Sequence, residues 1–217
     1  MREIAWEKIF SYYNSIKKIY IECEETDPEL KTNLQPLNEF RAALDHLMRL
    51  VGIEKFNEYK DEDAESQSEK LLSHLRRAFY DICDMLSINY RNKIVDALKK
   101  YSPNVIKDAL PDYYSKMRPD IEEMSETISS LRTNKGFNKS DEEQHIESYL
   151  EIIRRLKAYY KDILRAMPSL EELHNKENES SKNDKKKSFW TQYVIPICGV
   201  GIAVVGIVVG VIVGICT

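Results

Sequence analysis

Histidine and arginine side chains recur at helical spacing in two segments of this chain, and these residue types suit proton transfer and the binding of an anionic group. His46 and Arg49 are three residues apart, and so are His74 and Arg77, so each pair shares one face of a helix. The predicted polar network also includes the acidic residues near these pairs, Asp45 and Asp81. Two interpretations stay open: a half-buried structural network between two antiparallel helices, or a site for catalysis or ligand binding.

The first of these segments resembles a ribonuclease motif. Arg41-Ala-Ala-Leu-Asp-His46 matches the R-x4-6-H spacing of HEPN domains, which are all-helical bundles common in prokaryotic defence and toxin systems. Some small membrane proteins of such systems combine a HEPN-like bundle with a membrane helix. The resemblance implies that Arg41 would hold an RNA phosphate and that His46 would transfer a proton, with RNA as the partner.

A segment without charged residues runs from Tyr193 to Cys216. At a rise of ~1.5 Å per residue, a helix of this length extends roughly 36 Å and crosses a hydrocarbon core of ~30 Å. The sequence therefore predicts a single-pass transmembrane helix. Basic and aromatic residues precede it, as expected for anchors at the membrane surface: Lys185, Lys186, Lys187, Trp190 and Tyr193.

Three glycines of the predicted span, Gly206, Gly210 and Gly214, recur every four residues, and Gly199 and Ala203 extend the same edge. Small residues let helix backbones approach closely in lipid, where hydrophobic exclusion contributes nothing to association. This face predicts a homo-oligomer assembled through the membrane helix. The alternative is an ordinary tail anchor in which the glycines have no packing role.

The N-terminal sequence interrupts every apolar stretch with charges, so we expect no signal peptide and a body that stays in the cytoplasm. The lysines that precede the span then place the C-terminus across the membrane. The net charge of -4 argues against a broad nucleic-acid-binding face. The cysteines and histidines show no metal-ligand spacing, and the sequence predicts no cofactor.

The remainder of the chain predicts an all-α protein, an antiparallel bundle of about five helices plus the transmembrane helix. In the second predicted helix, apolar residues at alternating spacings of three and four indicate the core-facing seam: Leu37, Phe40, Leu44, Leu47 and Val51. We divide the chain into a cytosolic helical body over 1–172, a flexible polar linker over 173–188 and a transmembrane tail over 189–217.

These features favour a membrane-anchored effector or interaction protein that oligomerises through its span and perturbs the membrane in antiviral defence. Its trigger would be a protein or ligand that the sequence does not identify. Two alternatives stay open: a membrane-tethered HEPN-like ribonuclease that uses Arg41 and His46, and a tail-anchored adaptor without membrane activity. The chain contains no P-loop, GxSxG or HExxH motif, so an enzyme is the less favoured class.

Overall fold

A computed structural model describes the backbone of residues 6–27, 34–59, 61–133 and 142–189, and all regular structure in these ranges is helical. Six α-helices follow one another: α1 (Trp6–Thr26), α2 (Leu34–Val51), α3 (Ala64–Leu98), α4 (Pro103–Ala109), α5 (Arg118–Thr133) and α6 (Glu142–Phe189). One π-helical turn follows α2 at Gly52–Phe56, and another precedes α5 at Tyr113–Met117. The all-α prediction is confirmed for these ranges, with one more helix than the approximate count of five.

The central helix of the body is α3. Its N-terminus is capped by Asp63, whose carboxylate accepts a hydrogen bond from the Ser66 N–H at 2.8 Å. Both α1 and α2 pack against α3, so apolar side chains are buried on more than one of its faces. The large apolar side chains buried in this way include Leu71, Leu75, Phe79, Ile82, Leu86, Tyr90 and Ile94.

The side of α2 that is buried differs from the predicted seam. Pro36, Ala43 and Leu50, which are seven residues apart, are buried. Leu37 and Leu44 of the predicted seam are 39% and 56% exposed. The expectation that this seam faces the core was therefore wrong for Leu37 and Leu44, whereas Phe40, Leu47 and Val51 are half-buried.

A buried carboxylate joins α3, α5 and α6. Asp84 Oδ1 accepts a hydrogen bond from the Tyr149 hydroxyl at 2.9 Å, and Asp84 Oδ2 lies 2.9 Å from Arg132 Nε. Tyr149 is fully buried, whereas the Arg132 side chain is 45% exposed. Burial, together with the Asp84 charge, raises the pKa of the Tyr149 hydroxyl, so this hydroxyl stays protonated and donates.

The chain divides into two compact units, one of residues 1–100 and 112–165 and the other of residues 101–111 and 166–217. Within the second unit, the Tyr101 hydroxyl donates to Glu171 at 2.9 Å, and the Tyr101 ring packs edge-on against His174. Ser102 caps α4 by accepting a hydrogen bond from the Val105 N–H at 3.3 Å. The first unit contains the whole of α1, α2 and α3.

The polar segment 173–188, for which the sequence predicts a flexible linker, is helical in the structure because α6 extends to Phe189. Lysine and glutamate have high helix propensities, and oppositely charged residues four apart support a helix. Glu172 and Lys176 form such a pair at 2.6 Å. The low apolar content of this segment argued against a packed core there, but it did not argue against a helix.

Within the described backbone, no helix combines the length and the apolar character that crossing a bilayer requires. The predicted span over 193–216 lies outside the described residues, and with it the glycine face and the anchors Trp190 and Tyr193. The side chains of Lys185, Lys186 and Lys187 lie outside them as well. The transmembrane tail and its orientation stay predictions.

Candidate functional site

A cluster of polar side chains lies between α2 and α3. These two helices run antiparallel, so residues seven apart on one helix meet residues seven apart on the other. At one level His46 meets Gln67. Two turns away Glu39 meets His74. We call this set the polar cluster, and its members are Glu39, Asp45, His46, Arg49, Glu62, Gln67, His74 and Arg77.

The hydrogen bonds assign the ring protons of both histidines. Gln67 Nε2 donates to Glu62 at 2.6 Å, which orients the amide so that its oxygen faces His46. This oxygen lies 2.6 Å from His46 Nδ1, and because it only accepts, Nδ1 carries the proton. In the same way His74 Nδ1, 2.7 Å from Glu39 Oε2, donates to the carboxylate. The two rings stack with centroids 5.2 Å apart and planes inclined by 24°.

Carboxylates hold both arginines of the polar cluster. Glu39 Oε2 accepts from Arg77 Nε at 2.8 Å. Glu62 and Asp45 accept from Arg49 at 2.7 and 2.9 Å. Burial alone would raise the pKa of the Glu39 carboxyl, but the hydrogen bonds from Arg77 and the neighbouring imidazole outweigh it, and the pKa lies below its ordinary value.

Both arginines of the polar cluster are paired with carboxylates. Arg77 Nη2 lies 2.7 Å from Nδ1 and 3.3 Å from Nε2 of His74, so the guanidinium lies against the imidazole ring. An arginine that captured a phosphate here would first have to give up charge-assisted bonds to a carboxylate. The pairing of these arginines with carboxylates supports the structural interpretation of the network.

Most of the sequence-predicted network comes together in the structure: Asp45, His46, Arg49, His74 and Arg77 all belong to the polar cluster. Asp81 is half-buried one turn beyond Arg77 on α3. Sequence reasoning missed Glu39, Glu62 and Gln67. Two of these could have been found, because Glu39 precedes His46 by seven residues and Gln67 precedes His74 by seven.

Arg41 lies apart from the polar cluster. Five residues of α-helix separate it from His46, and at ~100° per residue the two side chains point about 140° apart around α2. Arg41 is exposed, whereas His46 is half-buried against α3. Within one chain, the two residues that match the R-x4-6-H motif therefore do not converge on a single site.

An apolar groove of about 690 Å³ runs between α1 and α2, with α3 as its floor. Its walls are large apolar side chains, chiefly Trp6, Phe10 and Tyr13 of α1 and Phe40, Leu44 and Leu47 of α2. The floor consists of Leu71 and Leu75. We call this surface the apolar groove. One of its ends is marked by Tyr20 and Phe40, whose rings meet edge to face at 5.9 Å.

The walls of the apolar groove are open to solvent. Phe10 is 70% exposed and Leu44 is 56% exposed, and Met48 beside Leu44 is 57% exposed. Single exposed apolar residues are ordinary, but a contiguous concave set of them marks an interaction surface in soluble domains. The sequence pattern indicated this apolar side of α2 and misassigned it to the core.

No three or more histidine, cysteine, aspartate or glutamate side chains are grouped to hold a metal ion among the residues that the structure describes. Comparison of the chain with protein-family models, curated proteins and solved structures gives no match. The features of this chain that bear on function are therefore the polar cluster, the apolar groove and the sequence of the predicted span.

Proposed function

We propose that this chain is a membrane-anchored interaction protein. Its helical body recognises a protein partner, its predicted span over 193–216 holds it in the membrane, and copies associate through Gly206, Gly210 and Gly214. In a microbial defence setting the output of this assembly is perturbation of the membrane. The body lies on the cytoplasmic side in this proposal, as the lysines before the span favour.

The apolar groove is the observation that carries the proposal. A soluble domain gains stability when it covers side chains such as Phe10 and Leu44, yet both remain open to solvent. A groove that is lined by two helices and has a third as floor is the shape in which proteins bind a partner helix. The histidines and arginines of the polar cluster, by contrast, are engaged with one another and with carboxylates.

Membrane potential in cells that express the chain tests this function. We expect depolarisation with the wild type, reported by a potential-sensitive dye, and its loss when Gly206, Gly210 and Gly214 are replaced by leucine. A helix over the span would carry Val204, Val208 and Ile212 on the side opposite these glycines.

Val204→Leu, Val208→Leu and Ile212→Leu together form the matched control, because they place three leucines at the same spacing on the other side of the helix. Depolarisation should survive in this control. Equal depolarisation by the wild type, the glycine variant and the control would contradict association through the glycine face.

The two alternatives make different predictions. A membrane-tethered ribonuclease that uses Arg41 and His46 would cleave RNA and lose this activity in His46→Ala; the separation of these two residues gives it less support. A tail-anchored adaptor would keep its function when an unrelated span of equal length replaces residues 193–216.

A further inference from the structure

Two basic side chains stand across from each other at one end of the apolar groove. Lys17 lies three residues before Tyr20 on α1, and Arg41 directly follows Phe40 on α2. Since the rings of Tyr20 and Phe40 touch, both bases lie within about one helical turn of the same point along the groove. Lys17 lines the groove itself. Arg41 lies beside it on α2, next in sequence to Phe40 and three residues before Leu44, and both of these residues line the groove.

These two bases are available for an external anion. Both are exposed, and neither takes part in an ion pair or hydrogen bond with another described residue. Asp45, one turn beyond Arg41 on α2, is already paired with Arg49 at 2.9 Å. The end of the groove at Tyr20 and Phe40 therefore presents positive charge beside an apolar surface.

The apolar residues of the groove are spaced to receive a helix. On α1, Trp6, Phe10, Tyr13 and Lys17 follow one another at intervals of four, three and four residues. On α2, Phe40, Leu44 and Leu47 line the groove at intervals of four and three residues. From Trp6 to Tyr20 the α1 wall extends ~21 Å, about the length of four turns of a helix.

We propose that the apolar groove binds an amphipathic helix of a partner protein, and that this helix places acidic side chains between Lys17 and Arg41. The apolar face of the partner helix covers Phe10, Tyr13 and Leu44. Its acidic end selects one orientation, because the positive charges of Lys17 and Arg41 attract acidic side chains and also favour the C-terminal end of a bound helix. This inference rests on the proposed function, since it specifies the partner of the same body. It also gives Arg41 a role in partner selection that is independent of the R-x4-6-H motif.

Binding of designed peptides to the full chain in mild detergent tests this proposal. The probe is a fluorescein-labelled helical peptide of about four turns, with leucines at spacings of three and four and glutamates flanking one end. A second peptide is identical except that lysines replace the glutamates. We expect fluorescence anisotropy to show about tenfold tighter binding of the acidic peptide, from two exposed ion pairs gained and two repulsions avoided.

The double variant Lys17→Glu, Arg41→Glu should reverse the order of the two peptides. Both positions are exposed, so the fold should be retained, and circular dichroism checks this. The matched control is Lys18→Glu, Lys70→Glu, which makes the same change in charge at exposed positions that do not line the groove. This control should leave the acidic peptide preferred.

Equal affinity of the wild type for the two peptides would overturn the proposal, and so would a preference for the acidic peptide that survives in the Lys17→Glu, Arg41→Glu variant. Self-association of the bodies that disappears in this variant would identify a second copy as the occupant and would overturn it too. The peptide assay does not depend on the span. Reversed peptide order with unchanged depolarisation in the glycine variant would therefore contradict the membrane output alone.

Discussion

Removal of the Asp84 carboxylate should destabilise the junction of α3, α5 and α6. In the wild type this carboxylate accepts the Tyr149 hydroxyl at 2.9 Å and pairs with Arg132 at 2.9 Å. Asp84→Ala leaves the hydroxyl of a fully buried tyrosine without its acceptor, whereas the half-exposed Arg132 returns to water. The loss is therefore dominated by one orphaned buried hydroxyl.

The loss in free energy of unfolding depends on which polar group each variant leaves unpaired. An unsatisfied buried polar group costs ~1–3 kcal/mol, so we expect Asp84→Ala to lower the free energy of unfolding by about 2–3 kcal/mol. Tyr149→Phe loses one hydrogen bond to a charged group and should cost about 1.5 kcal/mol. The double variant should cost less than Asp84→Ala alone, because the hydroxyl disappears together with its acceptor and no buried polar group is left unpaired.

Thermal unfolding of the full chain in mild detergent, followed by circular dichroism, measures these differences. A change of 1 kcal/mol shifts the melting temperature by ~2–4 °C in a protein of this size, so Asp84→Ala should melt about 5–10 °C lower. Ser130→Ala, at an exposed position on α5, is the matched surface control. Strictly additive single-variant effects in the double variant would refute the reasoning, since they would mean that Asp84 and Tyr149 are not coupled.

Three further predictions concern other parts of the body. The pKa of the Glu39 carboxyl lies below its ordinary value of 4.5. The ionised carboxylate therefore stabilises the fold fully above pH 4.5, and this stabilisation is lost as the pH falls through the lowered pKa. Glu39→Gln should consequently flatten the decline in melting temperature between pH 6 and pH 3. Burial raises the pKa of Cys23 to about 11, so iodoacetamide at pH 8 should label this thiol only after unfolding, as mass spectrometry can show. A Cβ on Gly52 would lie 2.8 Å from the Tyr59 ring, so Gly52→Ala should destabilise the wild type but stabilise a Tyr59→Ala background by ~0.5–1 kcal/mol in chemical denaturation.

Helix content could be predicted from the sequence because it depends on local information. Apolar residues at spacings of three and four and caps such as Ser102 before Pro103 indicate helices without any knowledge of their neighbours. Local sequence information does not indicate which surface the apolar side of a helix contacts. The pattern around Leu44 on α2 predicted a core-facing seam, and the structure shows part of it as an open wall of the apolar groove.

The polar cluster could be predicted in part. The spacing of His46 and Arg49 indicates a shared helical face, and so does the spacing of His74 and Arg77. Their partners depend on the antiparallel register of α2 and α3, which places Glu39 beside a residue 35 positions away in the sequence. The Asp84–Tyr149 hydrogen bond joins residues 65 positions apart, and no spacing along the chain indicates it.

Energy transfer between two differently labelled populations of the full chain, mixed in lipid vesicles, tests the central claim most directly. A protein that is anchored by residues 193–216 and associates through its glycine face should give strong transfer that unlabelled wild-type chain competes away. Replacing Gly206, Gly210 and Gly214 by leucine should reduce transfer to the level of random mixing, while Val204→Leu, Val208→Leu, Ile212→Leu should keep it. Transfer that is the same in both variants and the wild type, or a chain that does not partition into the vesicles, would contradict the account.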